Sequence, residues 1–248
     1  MTMNMRLDVA LVQKGLFKSR EKAQNAIKNG AVTVDSNVIK KPSLLVSDNS
    51  IINVLFETDF FVGRGGIKLK EAIDRFELNL SGLVCLDVGA STGGFTDCML
   101  KNGAKLVFAC DVGQGQLADE LRHNKNVISL EHTDIRALAL APLDYEIDFL
   151  FDFVSVDVSF ISLNKILPSV YNLLKSGAHA VCLIKPQFEA GRSFVGKNGI
   201  VKDSKIHRMV INNVSDFAQA LGFTVLGVIE SPIRGGDGNT EFLINLVK

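Results

Sequence analysis

Apolar residues recur along this chain in two rhythms. Between Leu7 and Ile27 they fall at helical spacing: Leu7, Ala10 and Leu11 form an i, i+3, i+4 stripe that ends at Gly15, and Ser19 opens a second stretch with Ala23, Ala26 and Ile27 on one face. Asn29-Gly30 signals a turn; residues 31–34, a polar Asp35-Ser36-Asn37 turn and residues 38–39 then predict a β-hairpin, with 50–55 as a further strand. From Leu83 onward strand-like apolar runs alternate with helical stretches, at 83–88, 105–111, 127–131, 149–158, 179–184, 223–230 and 241–247. The runs within 106–110 and 180–184 show no two-residue alternation, as expected of strands covered on both faces. The pattern predicts an α/β body with a doubly wound, mostly parallel seven-stranded sheet behind a small α+β head. Ligands of such sheets sit at the carboxyl ends of the strands.

Composition adds limits. The 248 residues are 47% hydrophobic, enough for a sizeable core, and 27 basic residues balance 27 acidic ones, which excludes a disordered polyelectrolyte. Asp148, Asp152 and Asp157 interrupt the most apolar stretch, so no run approaches the ~18–20 apolar residues of a membrane-spanning helix. Residues 1–6 lack the charged-then-apolar order of a secretory signal, and a cytoplasmic location is expected. Cys85, Cys98, Cys110 and Cys182 are scattered through apolar runs and read as reduced core thiols. The four histidines show no metal-ligand spacing, so no metal is expected, and nothing signals an oligomeric state.

The neutral total hides an asymmetry. Residues 1–47 hold eight basic and three acidic side chains, a net +5, and the remainder carries 19 basic and 24 acidic, a net −5. A basic head on an acidic body suggests that the head meets a polyanion. Lys18 and Lys22 share a helix face; from charge alone that face is either ordinary solvated surface or a phosphate contact.

The head's motifs, RLDVAL from Arg6, SREKA from Ser19, IKNGAVTV from Ile27 and KKP from Lys40, resemble the S4 RNA-binding domain, also called the alpha-L motif. The resemblance implies that the second helix and hairpin grip folded RNA through phosphates and shape. Arg6, Lys18, Arg20, Lys22, Lys28, Lys40 and Lys41 are then the candidate contacts, with Arg64 beyond them. Arg192, Lys197 and Lys202, in glycine-containing segments of the body, either extend that path or are solvated loop charges.

The strongest local signal in the body is LDVGASTGGFTD from Leu86 to Asp97. A strand ends at Asp87, three glycines (Gly89, Gly93, Gly94) allow a tight turn and close ligand approach, and a helix starts near Thr96 with its first amides toward the pocket. The G-x-x-x-G-G spacing differs from the dinucleotide pattern, which weakens a nicotinamide or flavin reading. Asp111, ending the second run, is placed to accept hydrogen bonds from both ribose hydroxyls of an adenosine. Asp134, ending the third, is a candidate acceptor for an adenine amino group.

The glycine-rich segment looks like the S-adenosylmethionine loop of class I methyltransferases, specifically the FtsJ-like ribose methyltransferases. With the basic head, and with FVGRGGIKL from Phe61, VSVDVSFISL from Val154, LIKPQFEAGR from Leu183 and SPIRGGDGNTEFL from Ser231, nearly the whole chain resembles the TlyA family of rRNA cytidine 2′-O-methyltransferases, often labelled hemolysin A. That resemblance implies S-adenosylmethionine as cofactor and ribosomal RNA as partner. It implies a cofactor site of Asp87, Gly89, Ala90, Ser91, Gly93, Gly94, Phe95, Asp111, Val112, Asp134 and Ile135, and a catalytic Lys-Asp-Lys-Glu tetrad matched by Lys68, Asp157, Lys185 and Glu241. In that scheme Lys185, beside a second cation and partly desolvated, is the base for the hydroxyl proton, Lys68 lowers its proton affinity, and the two carboxylates orient the pair. Residues 235–239 read as a flexible turn that lets Glu241 reach the site. Asp134 stands where the family has asparagine, His132 where it has arginine, and residues 60–63 depart from the family's linker pattern.

The expected organisation is an RNA-binding head over 1–59, a linker over 60–66 and a methyltransferase domain over 67–248. Three rivals are a non-catalytic RNA-binding or assembly protein, a base methyltransferase, and a pore-forming lysin, the last disfavoured because no amphipathic or spanning segment supports it.

Overall fold

The computed structural model describes residues 5–17, 19–28, 30–54, 61–235 and 238–248, without the side chains of Asn25 and Lys197. Lys18, Asn29, Leu55, Phe60, Gly236 and Asp237, named above, lie outside the described residues, as does the side chain of Lys197. The chain divides into two compact units, Met1–Arg64 and Gly65–Lys248.

The first unit runs β1 (Met5–Arg6), α1 (Leu7–Gln13), α2 (Arg20–Lys28), β2 (Val32–Val34), β3 (Asn37–Val38), β4 (Leu45–Val46) and β5 (Ile52–Val54). The two apolar stripes meet as expected: Leu7, Ala10, Leu11, Ala23, Ala26 and Ile27 are all within 1% of complete burial and share a core with Val32, Val34 and Val46. α1 stops at Gly15, whose φ of +70° is the left-handed conformation that ends a helix. Strand β2 is central in an antiparallel β3-β2-β5 sheet. Asp35 and Ser36 both adopt positive φ, the geometry that a two-residue hairpin turn demands, and Asp35 Oδ1 accepts the Ile51 N–H at 2.9 Å. The β1–β4 ladder, pairing Met5 with Val46 and Arg6 with Leu45, was not legible, because two-residue strands carry no periodicity.

The second unit continues with α3 (Gly65–Arg75), β6 (Val84–Val88), α4 (Gly94–Lys101), β7 (Leu106–Cys110), α5 (Asp119–Arg122), β8 (Val127–Leu130), α6 (Ile135–Leu140), β9 (Phe151–Val156), α7 (Leu167–Leu173), β10 (Leu174–Ile184), α8 (Pro186–Glu189), α9 (Ser204–Ala220), β11 (Thr224–Glu230) and β12 (Phe242–Val247). Seven strands form one sheet in the order β11-β12-β10-β9-β6-β7-β8. Pairings among β8, β7, β6, β9 and β10 are parallel, and β12 is antiparallel to both neighbours. The fold is the doubly wound α/β sheet that the pattern predicts.

This topology positions the site. The parallel strands β6, β7, β9 and β10 all end at one edge, and the register Ile184↔Phe242 brings the start of antiparallel β12 to that same edge. Residues far apart in sequence, just beyond Val88, Cys110, Val156 and Ile184 and just before Phe242, therefore converge. The four cysteines are buried and free, and burial pushes the thiols of Cys85, Cys110 and Cys182 up to about 12, which leaves them protonated packing groups at neutral pH.

Candidate active site

Helix α3 buries Gly66, Lys68, Leu69, Ala72 and Ile73 on one face, so Lys68 points inward with its apolar neighbours. Its Nζ donates to Glu241 Oε2 at 2.7 Å and lies 3.9 Å from Asp157 Oδ2. From the end of β10, Lys185 Nζ approaches Asp157 Oδ1 to 2.6 Å and donates to Ser159 Oγ at 2.9 Å. The four side chains form an alternating chain, Glu241, Lys68, Asp157, Lys185, closed by the Ser159 hydroxyl. Lys68, Lys185 and Glu241 are buried, and Asp157 is the most open member at 20% side-chain exposure. Two cations and two anions cancel, which offsets the desolvation that a buried, unpaired charge would suffer.

Two glycines beside this chain owe their identity to crowding. A Cβ on Gly235 would stand 2.5 Å from Glu241 Oε1, so the glycine admits the carboxylate; the turn expected to be flexible is, at this residue, a close contact. A Cβ on Gly89, at φ +83°, would stand 2.5 Å from the Asp157 carbonyl oxygen, so this glycine lets the loop after β6 pass the end of β9.

A cavity of about 350 Å³ opens at the same edge, within the size range of small-molecule sites. Of the expected cofactor residues, Gly89, Ser91, Asp111, Val112, Asp134 and Ile135 line it, as does Asp157. Asp111 Oδ2 accepts the Ser91 N–H at 2.8 Å and Oδ1 accepts the Gly113 N–H at 2.7 Å, which fixes the carboxylate at the cavity wall with acceptor capacity remaining. Val112, Val158, Ile135, Ile161 and Ile166 supply apolar surface. A diol acceptor, an apolar slot and a carboxylate beside the lysine pair suit a nucleoside that carries a positive sulfur.

Other expected cofactor residues, and Asp134, have packing or partners of their own. Asp87 is fully buried beneath the loop: its carboxylate accepts Thr96 Oγ1 at 2.7 Å and Ser155 Oγ at 3.1 Å, tying α4 to β9, and burial raises its pKa to about 7. Gly93 faces packing, since a Cβ there would stand 2.2 Å from Leu121 Cδ1. Ala90, Gly94 and Phe95 are buried and are not among the lining residues. Asp134 lines the cavity, but its carboxylate caps α6 through the Arg136 N–H at 2.8 Å and pairs with the Arg136 guanidinium at 2.6 Å, which holds its pKa down. Sequence reasoning missed Gln116, Thr133, Ser159 and the 158–161 segment; the VSVDVSFISL motif was the available signal for the last two.

In the first unit, Arg6, Arg20, Lys22, Lys28, Lys40 and Lys41 are exposed and Arg64 is half-buried. Arg6 and Arg20 converge on the fully buried carboxylate of Asp8, which also accepts the Gln24 amide. The Arg6 guanidinium holds the Asp8 carboxyl well below the usual range. In the second unit, Arg192 and Lys202 are exposed.

Comparison with known proteins accounts for both units. Residues 61–248 match the FtsJ-like methyltransferase family and residues 5–52 match the S4 domain. The chain is 39% identical to the 16S/23S rRNA (cytidine-2'-O)-methyltransferase TlyA of Mycobacterium tuberculosis, over 98% of this chain and 90% of that one. It is 38% identical to a Brachyspira hyodysenteriae protein named Hemolysin A, over 98% of this chain and 100% of that one. A solved structure from Streptococcus thermophilus superposes with a TM-score of 0.76 at 44% identity, covering 100% of this chain and 90% of that one.

Proposed function

Because the chain belongs to the FtsJ-like methyltransferase family, we propose that it is an enzyme that methylates a ribose 2′-hydroxyl, of cytidine by the names of its relatives, in structured ribosomal RNA. Residues 1–59 dock the RNA and residues 67–248 carry the chemistry. The observation that carries this reading is the alternating chain of Lys68, Asp157, Lys185 and Glu241 beside a cavity that includes Asp157 and Asp111.

A ribose hydroxyl is a weak nucleophile at neutral pH. Its proton must be taken up while its oxygen is held in line with the accepting carbon, at ~3–3.5 Å in a productive complex. Lys185 Nζ, oriented by Asp157 and Ser159, accepts that proton as the uncharged amine, after the proton of its resting ammonium has passed to solvent. Lys68, anchored by Glu241, places a second positive charge by Asp157 and steadies the oxygen as charge develops on it. S-adenosylmethionine, when bound, supplies an electrophilic methyl group. Asp111 would hold its ribose hydroxyls, and Asp157 would set a negative charge toward its sulfonium end.

The test is single-turnover transfer of a labelled methyl group to purified ribosomal subunits. Lys185→Ala and Asp157→Ala should each reduce the rate by at least ~100-fold, the scale of a lost general base. Transfer at the wild-type rate in either variant would remove the catalytic assignment.

A further inference from the structure

Asp8 is the least exposed charged side chain among the described residues of the first unit, yet its two arginine partners are exposed. Arg6 Nε donates to Oδ1 and Arg6 Nη2 to Oδ2, both at 2.9 Å, a parallel two-point fork. Arg20, twelve residues on at the first position of α2, donates from Nη2 to Oδ2 at 3.1 Å, and Gln24, one turn later, donates from Nε2 to the same oxygen at 2.6 Å. The arginine side chains are 44% and 55% exposed, whereas that of Asp8 is 0% exposed. Among the described residues, Nη1 of neither arginine is committed to a partner.

Such a carboxylate is more than a surface ion pair, which would contribute little to stability. It holds two guanidinium groups from different elements at one spacing, with an edge of Arg6 and a single nitrogen of Arg20 engaged and, among the described residues, other donors free. The backbone under Arg6 is itself held by the β1–β4 pairing of Arg6 with Leu45. An arginine side chain loses rotamer freedom whenever it grips a phosphate; fixing it beforehand reduces that loss. We propose that Asp8 is a positioning residue for RNA docking, holding Arg6 and Arg20 as a paired clamp for neighbouring backbone phosphates. This rests on the reading that the first unit docks ribosomal RNA.

The proposal makes a prediction opposite in sign to simple electrostatics. Asp8→Asn removes a negative charge from an RNA-binding surface, so charge alone predicts tighter binding and a steeper salt dependence. Positioning predicts weaker binding, by ~10-fold, the scale of one lost charge-assisted contact. Affinity of the full chain for purified ribosomal subunits, small and large separately, is measured from low to high salt. Arg6→Lys provides the second variant: it keeps the charge over Asp8 and loses the fork, so it too should weaken binding by ~10-fold with the salt slope retained. Combined, the two substitutions should cost no more than either alone. Tighter binding by Asp8→Asn, wild-type affinity in Arg6→Lys, or additive losses in the double variant would each overturn the clamp. A wild-type chain without salt-sensitive subunit binding would overturn the docking reading itself, a failure distinct from these.

Discussion

A methyl group at position 235 would intrude on Glu241, and the consequence belongs to catalysis more than to folding. Gly235→Ala should displace the carboxylate that anchors Lys68 and slow methyl transfer by about 100-fold, as misplacement by an ångström does. Measured kcat unchanged in a folded variant would show that Glu241 has room to move. Asp87 makes a prediction in pH. Its carboxyl is raised from 3.8 to about 7 by burial, so the folded state holds a proton that the unfolded chain releases. Its stabilising contribution is complete below its unfolded pKa and is lost as pH rises through about 7. Thermal unfolding of the wild type should therefore show stability falling across that window, and Asp87→Asn should flatten the fall; an identical slope in the variant would contradict this. The motif around Asp87 was legible, but the division of labour within it was not. A glycine or aspartate in a ligand loop reads the same whether it faces the ligand or, like Gly93 and Asp87, packs the loop from behind.

The elements were mostly legible from periodicity, to within two residues for six of the seven strands of the large sheet. β10 is the exception. It begins at Leu174, where Lys175 and Gly177 break the apolar run, and its pairing with β9 shifts register between Leu174 and His179. Short pairings such as β1 with β4 were invisible. Also invisible was the tie between the two loops that carry Asp157 and Lys185. At the end of α8, Glu189 accepts the Ser162 hydroxyl at 2.7 Å and the Leu163 N–H at 2.8 Å, joining α8 to the segment after β9. Burial raises its pKa, and these two hydrogen bonds to the carboxylate act against that rise. Glu189→Ala should cost about 1–3 kcal/mol, the price of leaving those donors unsatisfied, and should lower kcat by loosening Lys185 against Asp157. Chemical denaturation and single-turnover kinetics check the two effects; loss of stability without loss of rate would separate the clamp from the chemistry.

For the molecule as a whole, the charge asymmetry and the two apolar rhythms were the signals that reached furthest. They separated a basic head from an α/β body, and the matched families fall on those segments. No helix among the described residues is long and apolar enough to cross a membrane. Docking through phosphates requires that affinity for ribosomal subunits fall linearly in log–log with salt, by roughly 0.7–0.9 per phosphate neutralised. A flat response would contradict docking by the basic head. Ribose chemistry leaves a signature that base methylation does not, because a methylated 2′-oxygen cannot attack the adjacent phosphate. The decisive measurement is alkaline cleavage mapping of ribosomal RNA after incubation of subunits with the purified chain and S-adenosylmethionine. Blocked cleavage should appear at discrete cytidines with the wild-type chain and be absent with Lys185→Ala. Methylated RNA that cleaves normally at every linkage, or a block that persists in Lys185→Ala, would contradict the account.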